Sequence, residues 1–293
     1  MANTLNGVNL AAISNMTLDA LLDEMPRLDA FSTDFSPEVA SVGASITTRV
    51  ASAYTAQDFA ATTADADSTS TAVTITLSNW KGVRIAFSDK EWTESAVNLN
   101  SIFVRPLVHA VVNDFYDTLL ALVTNANYGA AGFVGAAGTF SADSVNALGK
   151  ALTNKKVPKQ QRTLMLSPDY FEALLNDANI QSADAYGGSE ATRQGVIPGL
   201  GGFRVEEYTD IPANAENLVG FATGPQALVL AGRAPATPEN FKGVIANATE
   251  PGSGFTLQTR AWYSEDDRKF RFEGGVLYGV AKGTDSLSRM TSI

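Results

Sequence analysis

Cysteine is absent from all 293 residues, and histidine occurs once, at His109. The first absence excludes disulfide staples, thiolate zinc sites, iron–sulfur clusters and thiol nucleophiles. The second excludes a multi-histidine metal site and leaves almost no room for a Ser-His-Asp machine. No apolar run approaches the ~20 residues that a membrane helix needs, so no membrane association is expected. The start, Met1-Ala-Asn-Thr-Leu-Asn-Gly-Val-Asn-Leu, lacks a basic stretch followed by an apolar core. A secretory signal is therefore not expected, and maturation in a cytoplasm is. Basic side chains are outnumbered 21 to 31, and the net charge of −10 opposes nonspecific attraction to a polyanion.

What is present is a folded chain: 45% of residues are hydrophobic, enough for a substantial core in one large or two joined domains. Residues 1–43 read as an extended arm carrying a short helical patch, Leu18, Leu21, Leu22, Met25 and Leu28, started by Thr17 or Asp19 and limited by Pro26. From Ala44 the composition turns β-branched and small, with Ile46-Thr-Thr-Arg-Val and Thr71-Ala-Val-Thr-Ile-Thr-Leu flanking a polar centre. This predicts a long hairpin over 44–88 whose tip cannot build a core of its own and is stable only against a neighbour. Trp80, Val83, Ile85 and Phe87 lead back to the body. Residues 101–125 carry apolar side chains at three- and four-residue intervals, including Val104, Leu107, Val108, Val111, Phe115 and Leu119, and predict one long helix. Pro106 fits that helix only in its first turn, which sets the regular part near Arg105. A glycine-rich link follows, with a boundary near Ala137, and Ser141 or Asp143 can cap the next helix.

The most informative block is 162–208. Thr163-Leu-Met-Leu reads as a buried strand, Pro168 opens a helix with Tyr170, Phe171, Leu174 and Leu175 on one face, and a polar glycine-rich loop precedes a returning strand. The block specifies a backbone path and holds no catalytic group. Leu218-Val-Gly-Phe-Ala and Ala227-Leu-Val-Leu-Ala fit two further buried strands, expected beside the Leu164 strand. Phe255 to Tyr263 and Lys269 to Ala281, joined by Ser264-Glu-Asp-Asp-Arg, predict an antiparallel closing sheet.

Each sharper chemical reading has a plainer competitor. His109 falls within the long helix and reads as structural, since partner ligands are missing. Gly199-Leu-Gly-Gly fails the dinucleotide pattern at Arg204 and lacks the Lys-Ser/Thr of a phosphate loop, so it is a turn before a strand. Asp65-Ala-Asp-Ser lacks the glycine and final glutamate of a calcium loop, and Glu265-Asp-Asp marks an exposed turn. Trp80, Trp92 and Trp262 lack interleaved basic residues and read as packing or contact anchors. No catalytic, cofactor or metal site is expected.

The succession of arm, hairpin, long helix, helix–strand domain with a glycine-rich loop and late return to strands is similar to the Hong Kong 97-type fold of tailed-bacteriophage major capsid proteins. Leu166-Ser-Pro-Asp-Tyr-Phe-Glu-Ala-Leu-Leu, Gly199-Leu-Gly-Gly-Phe-Arg-Val-Glu-Glu and Tyr278-Gly-Val-Ala resemble the family's habits, and their order carries more than any one of them. The resemblance implies an α+β fold with an N-terminal arm (1–43), an extended hairpin or E-loop (44–88), a peripheral domain with a spine helix (89–137), an axial domain (138–235) and a return to peripheral strands (236–293). It further implies a non-enzymatic coat protein that forms pentamers and hexamers of an icosahedral shell around double-stranded DNA, assembled in a bacterial cytoplasm with a separate scaffolding protein and a portal. The loop 187–195 would lie near the symmetry axis, with Glu190 and Arg193 able to pair between subunits. Arg49, Asp58, Trp80 and Lys81 are the remaining inter-subunit candidates. Some family members join subunits through a hairpin lysine, but no lysine occurs between Ala44 and Trp80, and Lys81 stands only at the base, so noncovalent shells are expected. An encapsulin-like shell around protein cargo, or a hydrolase using scattered carboxylates, are the competing readings.

Overall fold

The computed structural model describes residues 17, 28, 30–51, 70–94, 99–181, 197, 199–250 and 254–293. Two sheets and one long helix organise them. Strands β1 (Ser32–Ala40), β4 (Asn79–Ser88), β9 (Leu228–Pro235), β10 (Val244–Thr249), β11 (Thr256–Ser264) and β12 (Lys269–Lys282) form a six-stranded sheet. In it β12 is the spine. Its first half pairs with β11 and β4, and its second half, from Leu277 to Lys282, pairs with β9. Phe270, Phe272 and Val276 point into the core, with Arg271 and Glu273 half-buried between them.

Strands β5 (Phe133–Val134), β6 (Arg162–Leu166), β7 (Phe203–Glu207), β8 (Leu218–Thr223) and β13 (Leu287–Thr291) form the second sheet, in the order β5-β13-β8-β6-β7. One face packs against helices α4 (Ala142–Asn154) and α5 (Pro168–Leu175) through Leu148, Leu164, Leu166, Tyr170, Leu174, Ala222 and Met290. The other face supplies Met165, Phe221 and Leu287 to the main core, where they meet helix α2 (Leu99–Leu120). Shorter helices are α1 (Asp89–Glu94), α3 (Asn125–Tyr128) and α6 (Ala178–Gln181).

Helix α2 buries Val104, Leu107, Val108, Val111, Val112, Phe115, Leu119 and Leu120, the stripe expected from the sequence. Phe115 lies edge-on to Tyr278 at 4.9 Å and to Phe255 at 5.5 Å, tying the helix to the six-stranded sheet. Pro106 sits inside the helix rather than in its first turn. Its missing N–H is tolerated on the exposed side, where water can satisfy the orphaned carbonyl one turn earlier.

In the block 162–208 the described elements fold as read: β6, then α5 with Tyr170, Phe171 and Leu174 buried, then β7 parallel to β6, while 182–196 and 198 lie outside the described residues. Gly201 and Gly202, at φ +60° and +85°, make the turn into β7. Arg162 on β6 is almost fully buried and donates to the Gly149, Pro158 and Val157 carbonyls and to Thr153 Oγ1, closing the end of α4. Burial lowers the guanidinium pKa.

Three sequence expectations change. Only the Leu218 strand neighbours the Leu164 strand; the Ala227 run, β9, lies in the six-stranded sheet, because the turn at Gly224 carries the chain from one sheet to the other. Within the closing segment, β13 joins the second sheet, between β8 and β5. The link after α2 is also structured: Tyr128 is buried and its hydroxyl donates to the Ala227 carbonyl at 2.7 Å, while Arg289 donates to the Gly129 carbonyl and pairs with Glu216. Of the arm's helical patch, Leu28 is buried in the main core, and Leu18, Leu21, Leu22 and Met25 lie outside the described residues.

Candidate functional site

The predicted hairpin begins as a two-stranded ribbon. β2 (Ser45–Ala51) and β3 (Ser70–Thr76) pair antiparallel from Ser45↔Thr76 to Ala51↔Ser70, and among the described residues neither belongs to a larger sheet. Only its root is buried. Ile75 and Leu77 pack with Val229, Ala231 and Leu277 on the six-stranded sheet, and Leu77 exchanges backbone hydrogen bonds with Gly43 and Ala44. Gly279 permits this seating, because the Thr76 carbonyl lies where a β-carbon at 279 would be. Beyond the root, Thr47, Thr48 and Arg49 on β2 and Ala72 and Thr74 on β3 are exposed. A lone two-stranded ribbon is marginal in water, and the packing at its root is what ties this one to the subunit.

Where β4 leaves the root, it carries Trp80 and Lys81 to opposite faces of the sheet. Trp80 is 52% exposed, with the Arg260 guanidinium 6.0 Å from its ring centre. Four residues on from Trp80, Arg84 pairs with Glu273 at 2.6 Å and lies over Trp262 at 5.2 Å. Between Trp80 and Arg84 the floor is glycine: Gly82 stands opposite Gly275, and a β-carbon at 82 would meet the Gly274 carbonyl at 2.5 Å. The result is an open groove of about 310 Å³ flanked by an exposed indole and an ion pair. On the other face, Lys81 Nζ is 3.3 Å from Asp114 Oδ1 on α2, and the Tyr278 hydroxyl donates to Asp114 Oδ2 at 2.9 Å. Burial, assisted by that carboxylate, raises the Tyr278 pKa. Asp114 thus fastens the long helix to β4 and β12 at once.

Trp80 and Lys81 are therefore brought close to the ribbon root, and Arg49 stands on the ribbon itself. Asp58, Glu190 and Arg193 lie outside the described residues, as do the 187–195 loop and Asp65-Ala-Asp-Ser. Sequence reading missed Arg84, Glu273 and Arg260, whose association needs β4 to pair with the β11–β12 hairpin far along the chain.

The chemically sharper candidates resolve plainly. His109 is on the exposed side of α2, with Asn113 Nδ2 3.1 Å from its Nε2 one turn away. Gly199 to Gly202 is the turn before β7, closed by a bridge between Leu200 and Phe203. Glu265-Asp-Asp is the exposed turn between β11 and β12, and Asp267 pairs with Arg271, which holds its carboxyl below the usual range. Trp262 packs edge-on against Phe241 at 5.8 Å. The side chain of Trp92 is outside the described residues. A second depression, of about 500 Å³, lies between α4 and α5 near Asp143 and Asp177. Asp177 is committed there, accepting from the Ala142 and Asn179 N–H groups at 2.8 and 2.9 Å. Among the described residues, no three His, Cys, Asp or Glu side chains cluster as metal ligands, and no helix is long and apolar enough to cross a membrane.

No family model and no curated protein matches the sequence. Solved structures do. A capsid structure of the cyanophage P-SCSP1u is similar with a TM-score of 0.66 at 10% identity, over 90% of this chain and 87% of that one. The mature capsid of bacteriophage PhiM1 gives 0.62 at 11% identity, over 90% and 86%. A structure from Mycobacterium phage Che8 gives 0.59 at 18% identity, over 85% and 84%. The chain thus has the mixed helix-and-sheet fold of phage capsid structures, as the sequence resemblance implied.

Proposed function

We propose that this chain is a phage major capsid protein, a non-enzymatic coat subunit that assembles with copies of itself into an icosahedral shell around double-stranded DNA. The observation that carries the reading is the likeness of its fold to phage capsid structures over about nine-tenths of its length. The β2–β3 ribbon supports it. A ribbon with a buried root and an exposed shaft gains stability only by lying on another subunit, so assembly completes what the isolated chain leaves unfinished.

In this reading the ribbon and the segment it leads into are the extended loop, α2 is the spine helix, and the sheet bearing α4 and α5 is the axial unit, with 187–195 towards the symmetry axis. Arg49, Asp58, Trp80, Glu190 and Arg193 are then contact residues between subunits. Lys81 is held by Asp114 within its own subunit, which agrees with a noncovalent shell. Assembly in a bacterial cytoplasm, a separate scaffolding protein and a portal belong to the same reading. The net charge of −10 suits a container that holds DNA without adhering to it.

Negative-stain microscopy and sedimentation of the expressed protein, alone and with the product of a neighbouring scaffold gene, test this. Uniform closed shells are expected, dissociating to single chains in hot denaturing electrophoresis. Compact monomers at every concentration and with every scaffold overturn the proposal, and Arg193→Glu without effect on assembly removes the axial role of the loop.

A further inference from the structure

Among the described residues the six-stranded sheet has three edge strands, β1, β10 and β4, the last paired only with β12, and the first two are of opposite character. At one, β1 carries Pro37, which has no N–H to offer a further strand, within a register break between Ser36 and Val39. Proline and a bulge are devices by which a sheet edge is closed to a newcomer. At the other, β10 is Val244-Ile-Ala-Asn-Ala-Thr, six residues without proline or charge, and its pairing with β11 runs from Val244↔Ala261 to Thr249↔Thr256 without a register shift. Among the described residues β11 is its only strand neighbour. Val244 is 56% exposed and Asn247 is exposed. A straight, uncharged edge with its outward N–H and C=O groups unpaired by strands is a template for one more strand.

From this contrast we propose that β10 pairs antiparallel with β10 of a second copy of this chain, across a twofold axis perpendicular to the sheet. β1, interrupted at Pro37 and its register break, and β4, which carries Lys81 and Arg84, are the poorer partners for β10 of a second copy. The contact these edges favour is the isologous one, in which the same strip serves both copies. Charge favours it too. Two chains of net charge −10 repel wherever acidic surfaces meet, and β10 is a strip along which no carboxylate opposes another. Directly opposite residues of an antiparallel pair share a face, so the pairing must be centred on a residue. Centred on Asn247, it sets Asn247 against Asn247, Ile245 against Thr249 and Ala246 against Ala248, every pair uncharged and one of them β-branched on both sides.

The inference deepens the shell reading by naming one contact within it, and the test separates the two. Because the chain has no cysteine, a single introduced thiol reports without background. Asn247→Cys places two thiols on the twofold within disulfide reach, and mixing Ile245→Cys with Thr249→Cys copies samples the flanking pair. Glu172→Cys, exposed on α5, is the control. Under mild oxidation of the full-length protein, free and assembled, nonreducing electrophoresis is expected to show covalent dimer from N247C, or from the I245C and T249C mixture, at least fivefold above the control. If neither exceeds the control in either state, the edge contact is wrong. Shells that form without such cross-links leave the coat-protein reading standing and sink this contact. Cross-linked dimers from a protein that never forms shells do the reverse.

Discussion

The β2–β3 ribbon and the five-stranded sheet meet their surroundings in opposite ways. The sheet is covered on both faces: α4 and α5 lie on one, α2 and the main core on the other, and every residue of β6 and β13 is buried. The ribbon is covered only where Ile75 and Leu77 touch β9 and β12, and its shaft stands in solvent. Burial of apolar surface contributes stability in proportion to its area, so the sheet carries the stability of the isolated subunit and the ribbon adds little to it. In the coat-protein reading proposed above, the exposed shaft is the part that association covers. Substitutions in the body should therefore change unfolding, and substitutions in the ribbon should change assembly.

The largest effect is expected at the joint of helix and sheet. Phe115→Ala removes a fully buried ring packed against Tyr278 and Phe255, and a loss of about 3–5 kcal/mol should appear in chemical denaturation of the subunit. A loss below about 1 kcal/mol would mean that α2 is not bound to the sheet as described. Next comes Arg162→Met. Its four hydrogen-bond partners at the end of α4 lose a charged donor, and about 2–3 kcal/mol should follow, read on the same denaturation curve. Asp177→Ala is expected to cost about 1 kcal/mol, since it uncaps the first N–H of α4. Hydrogen exchange in the first turn of α4 should quicken while that of α2 stays unchanged.

Much of this body was legible in the sequence, and the reasons for the exceptions are physical. The stripe from Val104 to Leu119 and the order of strand, Pro-started helix, glycine turn and strand over 162–208 are local patterns, and local patterns survive folding. β9 was misplaced because Ala227-Leu-Val-Leu-Ala is buried on both faces and shows no alternation, so nothing in it distinguishes one sheet from the other. The cap of α4 was sought in Ser141 or Asp143, the neighbours in sequence; Asp177, 35 residues away, makes the bond. The groove beside Trp80 depends on Arg84 meeting Glu273 across 189 residues, a partnership that spacing cannot reveal. On the ribbon, by contrast, the alternation of Ile75 and Leu77 with threonines identified the strand, and its burial at the root depends on β9 and β12, which are remote in the chain.

A smaller effect has the opposite sign. Asp117 on α2 has its carboxyl pKa raised, first by partial desolvation of a group that stays largely exposed and then by the charges of Asp210 and Asp114. The folded chain therefore binds this proton more tightly than the unfolded one. Ionisation costs stability as pH rises from the ordinary carboxylate range through the raised pKa, and the cost is complete above it. Asp117→Asn should stabilise the subunit at pH 7, by less than about 1 kcal/mol because the side chain is exposed and screened. The gain should vanish below about pH 3, where both states are protonated. A gain that persists in acid would assign the effect to packing instead of charge.

The smallest expected change in subunit stability is the one that separates the two regions most sharply. Arg49 lies on the exposed shaft of the ribbon, opposite Ala72, away from the buried root. Arg49→Glu should leave the denaturation curve of the subunit within about 0.5 kcal/mol, the usual range for a surface position. It also reverses a charge on the surface that the ribbon offers to a neighbour, in a chain already acidic, and each closed shell repeats that reversal at every copy. The fraction of protein recovered as closed shells by sedimentation should fall severalfold, and more steeply at low ionic strength, where unfavourable charge contacts are least screened. If the variant instead unfolds as readily as Asp177→Ala while shells form normally, the ribbon belongs energetically to the body, and the division between a self-sufficient core and a protrusion completed by assembly is wrong.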